Sequence, residues 1–398
     1  MASAPAAALA AARDLLRHHP LVDGHNDLPW RLREGSGLDL RPVDLAAPVA
    51  GTHTDLPRLR RGGVGAQFWS VYVPGTLQGE AALATTLEQV DLVHRVIGRY
   101  PDDLELALSA DDVESAFGRG RIASLLGAEG GHSIAGSLGV LRVLHRLGVR
   151  YLTLTHNVNV PWADAATDEP VLGGLSAFGR QVVREMHRIG MLVDLSHTSA
   201  GTARDALAVA EAPVIFSHSG AREVCDHPRN VSDDVLRQLA GNGGVCMVTF
   251  VPDFVSPRCR AWALGLRAAI ERRGLDPKDT SMRAAVEAEY AAGQPRPRAT
   301  LAQVADHIEH VRRVAGIGHV GIGGDYDGAD DVPDGLEDVA CYPALIAELL
   351  TRGWDQDECV QIMGGNVLRV MREAEAVSRS LSARRTPSTA RIEDLDRA

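Results

Sequence analysis

The feature that most constrains this chain is a regular alternation of two patterns. Eight short apolar runs rich in Val, Ile and Leu, at 21–25, 64–73, 121–128, 149–155, 191–196, 213–217, 244–250 and 319–324, are separated by segments with helical periodicity. The runs are continuously apolar rather than alternating, which is the signature of strands covered on both faces. The helical segments are 79–99, 134–147, 176–189, 199–211, 232–241, 299–315 and 340–350. Strand and helix in this order build a parallel sheet, because a parallel crossover needs a helix. Eight strands favour a closed (β/α)8 barrel, a TIM barrel, over an open doubly wound sheet.

A chain of 398 residues fits one such barrel with insertions. The pattern predicts a single barrel domain over 1–376, with one connection, 251–298, too long for a simple βα loop. That segment contains a helical stretch around 260–272 and several prolines, and is expected to form a lid or a partner surface. From about Val377 the chain is polar and Arg-rich without an apolar period, so 377–398 is expected to be a frayed, flexible tail.

Composition removes several classes of function. A net charge of −11 argues against binding nucleic acid, which needs clustered positive charge. No stretch reaches the roughly 18 consecutive apolar residues of a membrane span. Residues 1–20 lack the order of a signal peptide, and Cys225, Cys246, Cys259, Cys341 and Cys359 are scattered without CxxC spacing. A reducing, cytoplasmic location is therefore expected. Lys278 is the only lysine; it lies in the long insertion and is read as solvated.

Chemistry-bearing residues collect where the predicted strands end. The first runs into His25-Asn26-Asp27, and two-residue alternation puts His25 and Asp27 on one face as a chelating pair while Asn26 points away. The third ends in Glu129 among glycines, a carboxylate costly to bury unless paired or metal-bound. The fifth and sixth end alike, in Asp194-Leu195-Ser196-His197 and Ile215-Phe216-Ser217-His218. Adjacent strands lie about 5 Å apart, so these two histidines can share one ion. His156 follows the fourth strand, and Asp325 and Asp327 follow the eighth. Each motif alone is weak, but such groups at six strand ends of one barrel point to the face where barrel enzymes place catalysis.

Other features keep structural readings. His53, His94, His145, His187, His307 and His310 fall in loops or on helical segments and are read as solvated or capping residues. The stretch GIGGD lacks the GxGxxG spacing of a dinucleotide loop.

In order, DGHNDLPW (23–30), EGGHSI (129–134), LTHNVNVPWAD (154–164), DLSH (194–197), FSHS (216–219), RNVSDDVL (229–236) and GIGGDYDG (321–328) resemble motifs of the renal or membrane dipeptidase family, zinc dipeptidases of the amidohydrolase superfamily. The resemblance spans roughly 20–373. It implies that His25 and Asp27 bind one zinc ion, His197 and His218 a second, and Glu129 bridges them. It further implies that His156 and Arg229 contact substrate and that Asp325 is the general acid/base. Many relatives in the superfamily bridge their metals with a carbamylated lysine; no lysine lies near any strand end here, which fits a glutamate bridge.

Animal members of that family are secreted and held by a lipid anchor, and neither a leader nor an apolar C-terminal tail is read here. A cysteine expected in the LTHN motif of those members is Val158, and Cys225 and Cys259 lie near family cysteine positions with their pairing left open. The expected activity is hydrolysis of dipeptides, L,D pairs included, by a hydroxide shared between two zinc ions. The alternatives are a metal-dependent amidohydrolase acting on another amide or lactone, and a non-catalytic metal- or peptide-binding barrel. A dipeptide is the expected partner, and a homodimer is left open.

Overall fold

The computed structural model describes residues 4–275 and 280–396, so Lys278 lies outside the described residues. Nine strands form one parallel sheet: β1 (Leu21–Asn26), β2 (Val64–Tyr72), β3 (Leu104–Leu106), β4 (Ile122–Glu129), β5 (Val149–Thr153), β6 (Leu192–Asp194), β7 (Ile215–Phe216), β8 (Val245–Val248) and β9 (Val320–Ile322). Their order is β2-β1-β9-β8-β7-β6-β5-β4-β3, and pairing of β2 with β4 closes the ring. Eight strands thus make the (β/α)8 barrel. The ninth, β3, was not expected; it pairs only with the first residues of β4, Leu104 opposite Ile122.

All eight expected runs become strands, although those from β5 to β9 are shorter than their apolar stretches. At β6 and β7 the cause is chemical. The Asp194 Oδ1 accepts from the backbone N–H groups of Ser196 and Ser217, so a side chain replaces the ladder where the strands end.

One apolar cluster joins Val22, Phe68, Leu125, Tyr151, Ile215 and Met247 from the strands to the helix Asn366–Ser382. That helix contributes Val367, Leu368, Val370 and Met371 and packs on the N-terminal ends of the strands. The opposite, C-terminal end is left for polar side chains.

The chain beyond Val377 corrects the expectation of a frayed tail. The same helix runs to Ser382 with Leu381 buried. Arg385 then pairs with Glu211, the Ser388 carbonyl accepts from Arg142, and the Asp396 carboxylate accepts from Ser176 Oγ and the Phe178 N–H. Charged and capping contacts to the helix Ala177–Ile189 and its neighbours dock this segment without an apolar period.

Among its described residues, the insertion holds three helices, Pro252–Val255, Pro257–Arg272 and Thr280–Gly293. Trp262, Leu266, Ile270 and Val286 give it a small core of its own. All five cysteines are free; Cys225 Sγ donates to the Asp253 carbonyl and Cys259 Sγ to the Pro297 carbonyl. Among the described residues, no helix is long and apolar enough to cross a membrane.

Candidate metal centre

The strand ends converge at the C-terminal mouth of the barrel. Glu129 is the last residue of β4, and its two oxygens face different partners. Oε2 lies 3.5 Å from His25 Nε2 and accepts from Ser70 Oγ at 3.1 Å. Oε1 lies 3.0 Å from His197 Nε2, 3.5 Å from His218 Nε2 and 3.8 Å from His156 Nε2. His25 Nε2 is also 3.1 Å from Asp27 Oδ2. Three overlapping sets of ligand atoms come within 4.8 Å of one another: His25, Glu129 and His218; Glu129, His156 and His197; and His25, Asp27 and Asp325. The eight expected site residues are therefore gathered in one place, with Arg229 at the margin.

Electrostatics fit a divalent cation here. His197 and His218 present Nε2 atoms to each other at 2.9 Å, and burial holds both rings well below the usual histidine range, so both are neutral. Two lone pairs at that distance repel unless a cation lies between them. Burial works against charge on His25, but Tyr151, Glu129 and Asp27 outweigh it and raise the ring well above its ordinary value. Burial likewise opposes the charge on Glu129, and His25 and His197 overcome it and keep the carboxylate ionised. The buried Asp27 Oδ1 has no hydrogen-bond partner, as befits an oxygen reserved for a metal. Imidazole and carboxylate together suit zinc.

A second layer, which sequence reasoning missed, fixes the rings. Tyr151 OH donates to the Gly24 carbonyl at 3.2 Å, so it accepts at 2.8 Å from the His25 Nδ1–H. Ser217 Oγ donates to Asp194 Oδ2 at 2.6 Å, so it accepts at 2.8 Å from the His218 Nδ1–H. The Asn157 carbonyl oxygen accepts from His197 Nδ1 at 3.1 Å. Each arrangement engages Nδ1 and turns Nε2 toward the centre. Backbone strain concentrates here as well: His197, Asp325 and Asp327 have φ of 66°, 59° and 67°, a region non-glycine residues rarely enter.

Around the centre lies a cleft of about 660 Å³ whose walls include Trp30, Tyr72, Pro252 and Phe254. The insertion thus supplies one wall of the cleft. Arg229 is buried, its guanidinium 5.3 Å from the Phe254 ring centroid, and its hydrogen bonds to Ser219 Oγ and the His218 carbonyl are long, at 3.5 and 3.3 Å. Burial lowers it to about 10, still charged at neutral pH. Burial lowers His156 to about 4 and pushes the Asp325 carboxyl well above the usual carboxylate range. A hollow of about 710 Å³ lined by Leu207, Pro213, Gln238 and Val377 is slightly larger but gathers none of these groups.

Three histidines read as solvated or capping are instead buried: His310, beside Asp233, and two that bond to backbone. His307 Nδ1 accepts from the Ala221 N–H and its Nε2 donates to the Val255 carbonyl, while His187 Nδ1 accepts from the Glu211 N–H. Their helices present them inward, where neutral imidazole ties loops together. His53 lies just outside the centre: its N–H donates to Asp327 Oδ1 and its Nδ1 accepts from the Asp327 N–H. In the GIGGD stretch, a Cβ on Gly323 would sit 1.9 Å from the Ser217 carbonyl oxygen, so this glycine serves close strand packing.

A model of the membrane dipeptidase family, peptidase family M19, matches residues 9–385. Dipeptidase 3 of Mus musculus is 44% identical over 368 residues, covering 91% of this chain and 66% of the mouse protein. Dipeptidase verJ of Clonostachys rogersoniana is 44% identical over 387 residues, covering 93% of this chain and 88% of that protein. In fold, the chain resembles the probable dipeptidase PvdM from Pseudomonas aeruginosa with a TM-score of 0.80 at 24% identity, over 94% of this chain and 100% of that one. A metallo peptidase from Rhodobacter sphaeroides, liganded with a phosphinate mimic of the dipeptide L-Ala-D-Ala, gives 0.74 at 22% identity over 89% and 99%. Matched along nearly its whole length and nearly half identical to these dipeptidases, the chain belongs to the membrane dipeptidase family, peptidase family M19.

Proposed function

We propose that the protein hydrolyses dipeptides with two zinc ions, one held by His25 and Asp27, the other by His197 and His218, with Glu129 between them. The observation that carries this reading is the orientation of Glu129, with Oε2 toward His25 and Oε1 toward His197 and His218. Bound there, two such ions supply a water acidic enough to attack near neutral pH and polarise the scissile carbonyl.

The side chains of the cleft do the rest. Asp325, grouped with His25 and Asp27, accepts the proton of the attacking water and returns it to the leaving amine. His156 is neutral and faces the centre, so its ring N–H is placed to donate to the developing oxyanion, an effect of about 3 kcal/mol for one donor. Arg229 is a buried cation with only two long hydrogen bonds, a receptor for the substrate's terminal carboxylate. A longer peptide would place a neutral amide there, which restricts the enzyme to dipeptides.

The L-Ala-D-Ala mimic bound by the Rhodobacter sphaeroides neighbour supports including L,D pairs among the substrates. A dipeptide library with L,D members, screened alongside zinc analysis, tests the reading. Turnover of dipeptides with two zinc ions per chain is expected. Full activity with less than one ion per chain refutes the binuclear centre, and equal rates on a dipeptide and its C-terminal amide refute the role of Arg229.

A further inference from the structure

The second layer behind the metal ligands is divided, and the two halves are built differently. Behind His25 stands a neutral phenol, Tyr151, with its hydroxyl spent on the Gly24 carbonyl. Behind His218 stands Ser217, whose hydroxyl hydrogen is committed to the fully buried Asp194 carboxylate. That carboxylate is fully engaged: Oδ2 accepts from Thr153 Oγ1 and Ser217 Oγ, and Oδ1 from the N–H groups of Ser196 and Ser217. It therefore fixes three strand ends, those of β5, β6 and β7, in one geometry.

Charge is distributed unevenly too. The His25 half has a carboxylate ligand of its own in Asp27. The His197–His218 half offers two imidazoles and no carboxylate beyond the shared Glu129, and the Arg229 guanidinium reaches back to the His218 carbonyl and Ser219 Oγ on the same loop. A cation beside two uncharged ligands weakens attraction for a second cation. Asp194 is the anion behind that half, one hydroxyl removed from the ring.

We propose that Asp194, acting through Ser217, is the positioning residue of the His197–His218 half, as Tyr151 is of the His25 half, so that the two ions bind with separate affinities and the His197–His218 ion is the weaker. The inference rests on the two-zinc reading above. It assigns the second-layer residues to different ions, a division that a purely structural role for them does not produce.

The test is titration of metal-free full-length protein with Zn²⁺ against a chromophoric chelator, in wild type, Ser217→Ala and Tyr151→Phe, with melting temperature recorded for each. Ser217→Ala cuts the link to His218 while leaving Asp194 and its other donors in place, which avoids the folding risk of Asp194→Asn. Two steps are expected in the wild type. Ser217→Ala should weaken the looser step roughly 10- to 100-fold and leave the tighter one within about threefold, and Tyr151→Phe should do the reverse. Two steps that fall together in either variant, or that coincide in the wild type, overturn the proposal while the two-zinc reading stands. A single zinc per chain in the wild type overturns both.

Discussion

Gly127 offers a sharp test of how the centre is supported, because it touches no ligand and carries no side chain. A Cβ built there would lie 1.9 Å from Tyr151 Cζ and 2.3 and 2.4 Å from two other ring carbons. Restoring ordinary contact needs the ring to retreat by about 1.5 Å. The hydroxyl rides on that ring, so its 2.8 Å contact with His25 Nδ1 opens beyond hydrogen-bonding range. Two costs follow for Gly127→Ala: overpacking of about 1–3 kcal/mol, and a buried ring N–H left without a partner at about 1–3 kcal/mol more. A displacement of about 1 Å at a catalytic centre is enough for a 100-fold loss of rate. Thermal melting, zinc content and dipeptide turnover together should show a less stable protein with impaired turnover. In a Tyr151→Leu background the steric conflict is gone, so Gly127→Ala should cost much less there than in the wild type. Unchanged melting and turnover in Gly127→Ala, or strictly additive effects in the double variant, would refute the chain of support from Gly127 through Tyr151 to His25.

Three further outcomes are expected. Arg229→Lys replaces a planar fork by a point charge, and kcat/KM for free-acid dipeptides should fall roughly 100-fold while slow turnover of C-terminal amides is little changed; comparison of the two substrate types checks it. Asp325→Asn should lower kcat by roughly 100- to 10,000-fold with zinc content unchanged, and near-wild-type turnover would remove its proton-transfer role. Burial lowers His307 from 6.5 to about 4, so the folded protein resists a proton that the unfolded chain takes up. Protons then favour the unfolded state: the stability His307 contributes is present above pH 6.5 and declines by about 3 kcal/mol as pH falls toward 4. Denaturant titrations of wild type and His307→Gln across that window should show a shallower decline in the variant.

What the sequence made legible, and what it hid, follows from how far each residue's role depends on distant partners. The eight apolar runs could be read because a strand buried on both faces writes its burial into consecutive residues. Glu129 and His218 stood out because a titratable group ending such a run has few inexpensive fates. Tyr151 was hidden because nothing in VRYLT distinguishes a core tyrosine from one bonded to a proposed ligand; its partner His25 lies 126 residues away, and the pairing exists only once the barrel closes. Asp194 was visible as part of DLSH, but its work is done through Ser217 on the next strand. β3 escaped because Leu-Glu-Leu is too short to show a period, and it borrows its ladder from β4. The docked C-terminal segment misled in the opposite direction: polarity was read as freedom, yet Arg385 finds Glu211 in the turn after an outer helix and Asp396 finds the first turn of another. The same principle explains why the proposed ligands are easier to read than their supports. A ligand is recognised by its own chemistry at a strand end, whereas a second-layer residue is ordinary until the fold puts one hydrogen-bonding atom behind it.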